Sequence, residues 1–336
     1  MIGNGLNVCW GAVVTSKMLS KPTILIAEAE NFSPMAVKQL RQVGDVVMAD
    51  LDRPGLLAAV SEVDVLWVRL RHYIDAEVFD NASHLKFIVS PTTGLNHIDL
   101  KYAQQQAVQV LSLRGEDVFL RDVRATAEHT INLLLTLLRH TVGAVAHVNV
   151  GGWDRDKFKG GELYGKTIGV VGYGRLGRIV ARYLRAFDAH VITTDPYCSP
   201  HEIDAGIHLL PLRDLLAQAE MVTLHVNLNS TTDKFFGREQ FAAMRNGAWF
   251  VNTARGELVD EDALLESLIS GKLAGAALDV LSNERSDGMG HHPLVVYAHQ
   301  SHNLIITPHI GGCTIESMER TERFMVEKLC WALERT

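Results

Sequence analysis

Short β-branched runs alternate with helical stretches twice over along this chain, and no other feature constrains its fold as tightly. In the first series TILIAEA (23–29), DVVMAD (45–50), VDVLWVR (63–69), KFIVSP (86–91) and VQVLSL (108–113) read as buried strands, with amphipathic stretches such as PMAVKQLRQV and DLKYAQQQ between them. In the second, TIGVV (167–171), HVITTD (190–195), MVTLHV (221–226), AWFVNT (248–253), GAALDV (275–280) and LIITPH (304–309) make six more. Apolar strands separated by helices are βαβ units, and these build parallel sheets covered on both faces. The expected fold class is α/β with two doubly wound parallel sheets. A long helix is expected between the series, from about Ala125 to Val148, broken by Gly151-Gly152. A last amphipathic helix runs from Thr314 to Glu334. At 336 residues the chain exceeds what one core holds, so two sheets mean two domains.

Composition removes several classes of partner. Lys and Arg total 32 against 39 Asp and Glu, a net charge of -7 that gives a nucleic acid no footing. The cysteines Cys9, Cys198, Cys313 and Cys330 form no C-x-x-C pair, so neither a disulfide framework nor a zinc site is expected, and a reducing cytoplasm fits. The apolar stretch 131–138 is interrupted by Asn132 and Thr136 and is too short to cross a membrane. MIGNGLNVCWGAVV has no basic cluster ahead of an apolar run, so residues 1–20 read as a loose extension rather than a secretory signal. His291, His292, His299, His302 and His309 crowd one segment without compact ligand spacing, and no metal is expected there.

Gly172-Tyr173-Gly174-Arg175-Leu176-Gly177 follows a clean apolar strand and opens a helix whose apolar face is Leu176, Ile179, Val180, Leu184 and Phe187. Gly172 permits a tight turn, Gly174 lets backbone approach a pyrophosphate, and Gly177 lets helix pack on strand. The helix N-terminus offers unpaired N–H groups to the phosphates. Asp195 ends the next strand, where a carboxylate accepts hydrogen bonds from ribose hydroxyls and repels a 2′-phosphate. The loop therefore points to a dinucleotide, with NAD favoured over NADP.

Ligands of open α/β sheets sit beyond the carboxyl ends of the strands. Arg255, Glu284 and His309 all fall on that edge of the second series, with Asp279 nearby. A guanidinium grips a carboxylate and polarises a neighbouring carbonyl. A histidine gives a proton to an oxygen as hydride reaches carbon, and a carboxylate beside it orients the ring and favours its acid form.

These segments resemble the D-isomer-specific 2-hydroxyacid dehydrogenase family over nearly the whole chain after Lys21, through GKTIGVVGYGRLG, VNTARGELVDEDAL, LAGAALDVLSNE, IITPHIGG and the interdomain-helix stretch TAEHTINLLLTLLR. The resemblance implies a Rossmann NAD-binding domain (120–310) inserted into a flavodoxin-like substrate domain (21–119 and 311–336). It places Arg255, Glu284 and His309 as the catalytic set and Asp279 against the nicotinamide carboxamide. It adds His225, Val226, Thr232, Thr253 and Ala254 to the cofactor contacts of the glycine loop. In SPTTGLNHID it assigns Thr93 and Gly94 to the substrate carboxylate, and it gives Arg69 the substrate's far end, as in phosphoglycerate dehydrogenase-like members. The apolar helix 131–138 reads as core or as a dimer seam, and the resemblance favours the seam of a homodimer. Three departures stand out: Val226-Asn227 where the family has Pro two residues after the histidine, Arg285 where Pro usually follows the glutamate, and a long EDVFLRDVR connection (116–124). Formate dehydrogenases of this fold carry Gln at the position of Glu284, so the expected activity is NAD-dependent interconversion of a 2-oxo acid and a D-2-hydroxy acid, with no membrane partner. The alternatives are oxidation of a phosphorylated hydroxy acid, or an NADH-sensing scaffold like the corepressors that share the fold.

Overall fold

The computed structural model describes residues 21–284 and 288–335. The extension expected over residues 1–20, and Arg285, lie outside the described residues.

Every expected run contains a strand. The first sheet holds β1 (Thr23–Ile26), β2 (Asp45–Met48), β3 (Val65–Trp67), β4 (Phe87–Ser90) and β5 (Gln109–Ser112), all parallel, in the order β2-β1-β3-β4-β5. Its order reverses between β1 and β3, the point at which a flavodoxin-like sheet opens a crevice. The second sheet holds β6 (Thr167–Val171), β7 (His190–Thr194), β8 (His208–Leu209), β9 (Met221–Leu224), β10 (Ala248–Asn252), β11 (Leu273–Leu278) and β12 (Leu304–Ile306). It runs β12-β11-β10-β9-β6-β7-β8, again parallel, and reverses between β6 and β9. The series expected to have six strands thus has seven. The extra one, β8, is two residues paired to β7 at the sheet edge, too short to carry any periodicity.

The expected long helix over 125–148 is two helices, Ala125–Leu138 and Thr141–Asn149. His140 takes the left-handed conformation with φ of 50°, and the path bends by 64° there. Ile131, Leu133, Leu134, Leu137 and Leu138 bury against the second sheet, so the stretch 131–138 expected as a homodimer seam is instead core of this chain; the following turns bury nothing, and the helix parts where its apolar face ends. The glycine-loop helix, Arg175–Ala186, buries Gly177, Ile179, Val180 and Leu184 as its pattern demands, but Phe187 at its C-terminal end is exposed. The last helix, Ile315–Leu333, lays Met325, Val326, Leu329 and Ala332 on the first sheet beside Ile24, Trp67 and Val89. Burying each of the larger side chains is worth about 1.5–3 kcal/mol, enough to hold this distant segment to the first core. No single helix among the described residues is long and apolar enough to cross a membrane.

Candidate active site

The crevice of the second sheet opens between the loops that follow β6 and β9. Gly172 has φ of +94°, and a Cβ on it would stand 2.6 Å from the carbonyl oxygen of His225. A Cβ on Gly177 would stand 2.0 Å from the carbonyl oxygen of Gly172, so the helix meets its own loop at backbone contact. Gly174 caps the helix without a side-chain bond to it, and nothing lies within 4 Å of where its Cβ would point. First-turn N–H groups above open space fit a pyrophosphate. Asp195 accepts from the N–H of Tyr173 at 2.8 Å and of Tyr197 at 2.9 Å, one on each oxygen, which leaves each oxygen a lone pair for a ribose hydroxyl. These residues fit a bound NAD.

Other members of the expected set do structural work around this crevice. The Tyr173 ring is buried and its hydroxyl donates to Asp204 at 2.7 Å; burial and that bond push the phenol up to about 12. Arg175 turns away from the loop and donates to the carbonyls of Leu120 and Val123, both at 3.0 Å, in the chain entering from the first sheet. His225 is desolvated, its imidazole pushed down to about 3, with Nε2 at 3.0 Å from Thr223 Oγ1 and Nδ1 buried without a partner. Val226 lies close to Gly172. Thr232 accepts from Asn229 N–H and donates to the Asn227 carbonyl, closing the turn after β9. Thr253 Oγ1 lies 2.9 Å from Thr130 Oγ1 on the interdomain helix. The Ala254 N–H donates to the Asn252 side chain, which in turn donates to the Arg255 carbonyl, so one asparagine shapes the turn that presents the arginine.

Arg255, Glu284 and His309 follow the ends of three neighbouring strands, β10, β11 and β12. His309 Nδ1 lies 2.5 Å from Glu284 Oε1, with about a fifth of each side chain exposed. His309 has φ of +53°, a conformation non-glycine residues avoid. Its N–H donates to the carbonyls of Asp279 at 2.8 Å and Thr307 at 3.0 Å, bonds that hold the strained backbone in place. Gly94 crosses from the first sheet to meet this edge: a Cβ on it would fall 1.9 Å from the Arg255 guanidinium. The loop carrying Thr93 and Gly94 is braced by Thr92, whose Oγ1 donates to the Gly94 carbonyl at 2.8 Å and lies 2.9 Å from Ser90 Oγ.

Asp279 is buried, and its oxygens accept from Thr307 Oγ1 (2.6 Å), Ile310 N–H (2.9 Å) and Gly311 N–H (2.7 Å), with His129 Nε2 at 3.2 Å. Burial alone would raise the carboxyl; these donors, His129 first, outweigh it and hold it below its ordinary value. Arg69 is placed otherwise than as an open substrate contact. It pairs with Glu322 of the last helix at 2.5 Å and donates to the Glu30 carbonyl at 2.9 Å.

Sequence reasoning missed His129, Glu322 and the pair Glu261–His292. Glu261 accepts from Ser282 N–H at 2.7 Å and meets His292 Nε2 at 3.2 Å, bracing the turn that carries Glu284. Glu322 had a legible signal: it continues the apolar stripe of Met325, Val326 and Leu329, where a charge demands a buried partner.

A dinucleotide crevice in one parallel sheet, with a loop of a second parallel sheet touching Arg255 on the same edge, defines the class: a two-domain, dinucleotide-binding α/β protein. Residues 131–311 match the family model described as D-isomer specific 2-hydroxyacid dehydrogenase, NAD binding domain. The chain belongs to the D-isomer specific 2-hydroxyacid dehydrogenase family. It is 36% identical over 317 residues to D-3-phosphoglycerate dehydrogenase of Mycobacterium bovis, covering 94% of this chain and 57% of that one. It is 33% identical over 285 residues to hydroxypyruvate reductase of Thermotoga maritima, covering 85% of this chain and 90% of that one. Among solved structures it resembles D-lactate dehydrogenase from Aquifex aeolicus complexed with NAD and lactic acid, with a TM-score of 0.81 and 25% identity, over 93% of this chain and 95% of that one. The chain spans little more than half the length of the curated phosphoglycerate dehydrogenases it matches.

Proposed function

We propose that this chain reversibly reduces a 2-oxo acid to a D-2-hydroxy acid with NADH. The observation that carries the reading is the His309–Glu284 contact of 2.5 Å, on the same strand-end edge as Arg255, which the Gly94 loop touches. When bound, NAD supplies and accepts the hydride. Arg255 and the N–H groups of Thr93 and Gly94 hold the substrate carboxylate, which fixes the neighbouring carbonyl. With Nδ1–H given to Glu284, the proton on Nε2 exists only in the imidazolium, so Nε2 is the atom that delivers it to the developing alkoxide and takes it back in reverse. Glu284 stabilises the cation and holds the ring. Asp279 steadies the His309 backbone and offers a lone pair toward the carboxamide.

In this reading residues 120–310 form the cofactor domain, and 21–119 with 311–336 the substrate domain. The protein is a cytoplasmic homodimer, a state supported by Val142, Val145 and Val148 standing exposed along one helix beside Val150 and Trp153. Steady-state reduction of a panel of 2-oxo acids, with NADH and NADPH in parallel, tests it. Turnover is expected with NADH, and His309→Gln is expected to lower kcat about 100- to 10,000-fold with NADH binding retained. Binding of NADH with no turnover on any acid would favour a sensing scaffold, and NADPH preference would overturn the role of Asp195.

A further inference from the structure

The first sheet reverses between β1 and β3, and the loops leaving those strands, 27–33 and 68–74, are where a flavodoxin-like sheet receives what enters its crevice. They lie on the same carboxyl edge as the Gly94 loop, which touches Arg255, so they face the part of a substrate remote from its carboxylate. Both kinds of anion-binding group found there are already occupied by carboxylates of this chain. The Arg69 guanidinium is paired with Glu322, which is fully buried and whose other oxygen accepts from Ser33 N–H at 2.8 Å. It also donates to the carbonyls of Glu30 and Asn31 and lies over the Phe32 ring. The N–H groups of Arg69, Leu70 and Arg71, a turn that would cradle a phosphate, instead converge on the buried carboxylate of Glu28 at 2.9–3.3 Å. Two further cations on this edge are spoken for: Arg71 by Asp50 and Lys328 by Glu116.

We propose that Glu322 and Glu28 make this chain selective for 2-oxo and 2-hydroxy acids whose far end carries no charge, and that they exclude phosphorylated ones. A phosphate dianion reaching the switch point finds the donors already taken by two carboxylates of like charge, and it must break a buried ion pair to gain Arg69. Such like-charge opposition is how sites reject a wrong ligand. A neutral group meets a surface whose charges are already balanced.

The proposal rests on the reading of the site as one for small 2-hydroxy acids, and binding tests it separately from turnover. D-glycerate and 3-phospho-D-glycerate are titrated calorimetrically into the protein saturated with NADH, a combination that cannot react. D-glycerate is expected to bind about tenfold or more tightly than its phosphate ester. Glu322→Gln, which keeps an acceptor for Ser33 N–H, is expected to shrink that ratio at least severalfold by freeing Arg69. Glu28→Gln, which leaves the Arg69 pair intact, is expected to shrink it as well, so the outcome does not hang on the folding of one variant. Equal or tighter binding of the phosphate ester by the parent protein, or a ratio unmoved in both variants, overturns the proposal. The expected ratio without turnover on any 2-oxo acid would leave the selectivity standing and overturn the dehydrogenase reading alone.

Discussion

Two glycines of the site face equally close neighbours, yet their substitution has different consequences. A Cβ on Gly177 strikes the carbonyl oxygen of Gly172, and backbone cannot step aside without moving the loop. Gly177→Ala is expected to lower stability by about 1–3 kcal/mol, read as a lower urea midpoint, and to weaken NADH binding. A Cβ on Gly94 strikes the end of the Arg255 side chain, which swings away at little expense. Gly94→Ala should leave the urea midpoint nearly unchanged while raising KM for the 2-oxo acid about tenfold, since the guanidinium no longer sits where the carboxylate arrives. His225 gives a pH signature. Its folded-state imidazole is depressed from 6.5 to about 3 by burial, so below about pH 6.5 the unfolded chain takes up a proton that the folded chain refuses. Stability falls as pH drops through that window. His225→Gln is expected to flatten the slope of urea midpoint against pH between about 6.5 and 5; identical slopes would mean that the ring titrates freely in the folded protein. At this scale the sequence was legible wherever chemistry follows a strand end, as for Arg255, Glu284 and His309. It was not legible where a partner lies far along the chain, as Glu322 does from Arg69, 253 positions away.

Among elements, strands were readable because buried parallel strands are apolar throughout and bounded by turns, whereas β8 contributes only two residues and leaves no pattern. The interdomain helix was read as continuous because Thr141–Asn149 is nearly as apolar in composition as the stretch before it; what differs is burial, which composition does not report. Arg175 shows how an element can be read correctly and a side chain on it misplaced. It sits in the glycine loop as expected, but its guanidinium braces the short helix Asp117–Leu120 in the connection that looked long in the sequence. Burial pulls its guanidinium below the ordinary value, opposed by the nearby Asp117. Arg175→Ala takes the guanidinium donor from the Val123 carbonyl, at about 1–3 kcal/mol if water stays out, while the Leu120 carbonyl still accepts from Val123 N–H at 3.1 Å. Faster amide hydrogen exchange across 116–124 is the expected readout; unchanged exchange there would show the connection to be held by its contacts with the last helix, Phe119 on Phe324, Lys328 on Glu116 and Arg320 on the Asp122 carbonyl.

For the whole molecule, the chain leaves the first sheet near Val123 and returns to it by Thr314, and these two crossings meet at Asp279. Gly311 lies so close to the start of the interdomain helix that a Cβ on it would stand 3.3 Å from Thr126 Cγ2 and 2.8 Å from Asp279 Oδ2. Every donor to that carboxylate, from His129 through Thr307 to Gly311, belongs to the stretch 125–311. The cofactor-binding half therefore has neighbouring ends sealed by its own hydrogen bonds, the arrangement of a cassette that can be lifted from its host. Expressed alone, residues 125–311 are expected to fold and to bind NADH, measured by fluorescence, within about tenfold of the full chain, and an unfolded fragment would show that the two halves need each other to be stable. The host in turn could accept a foreign insert of the same end-to-end spacing, which makes the junction at Asp279 a natural point for recombining one substrate pocket with many cofactor units.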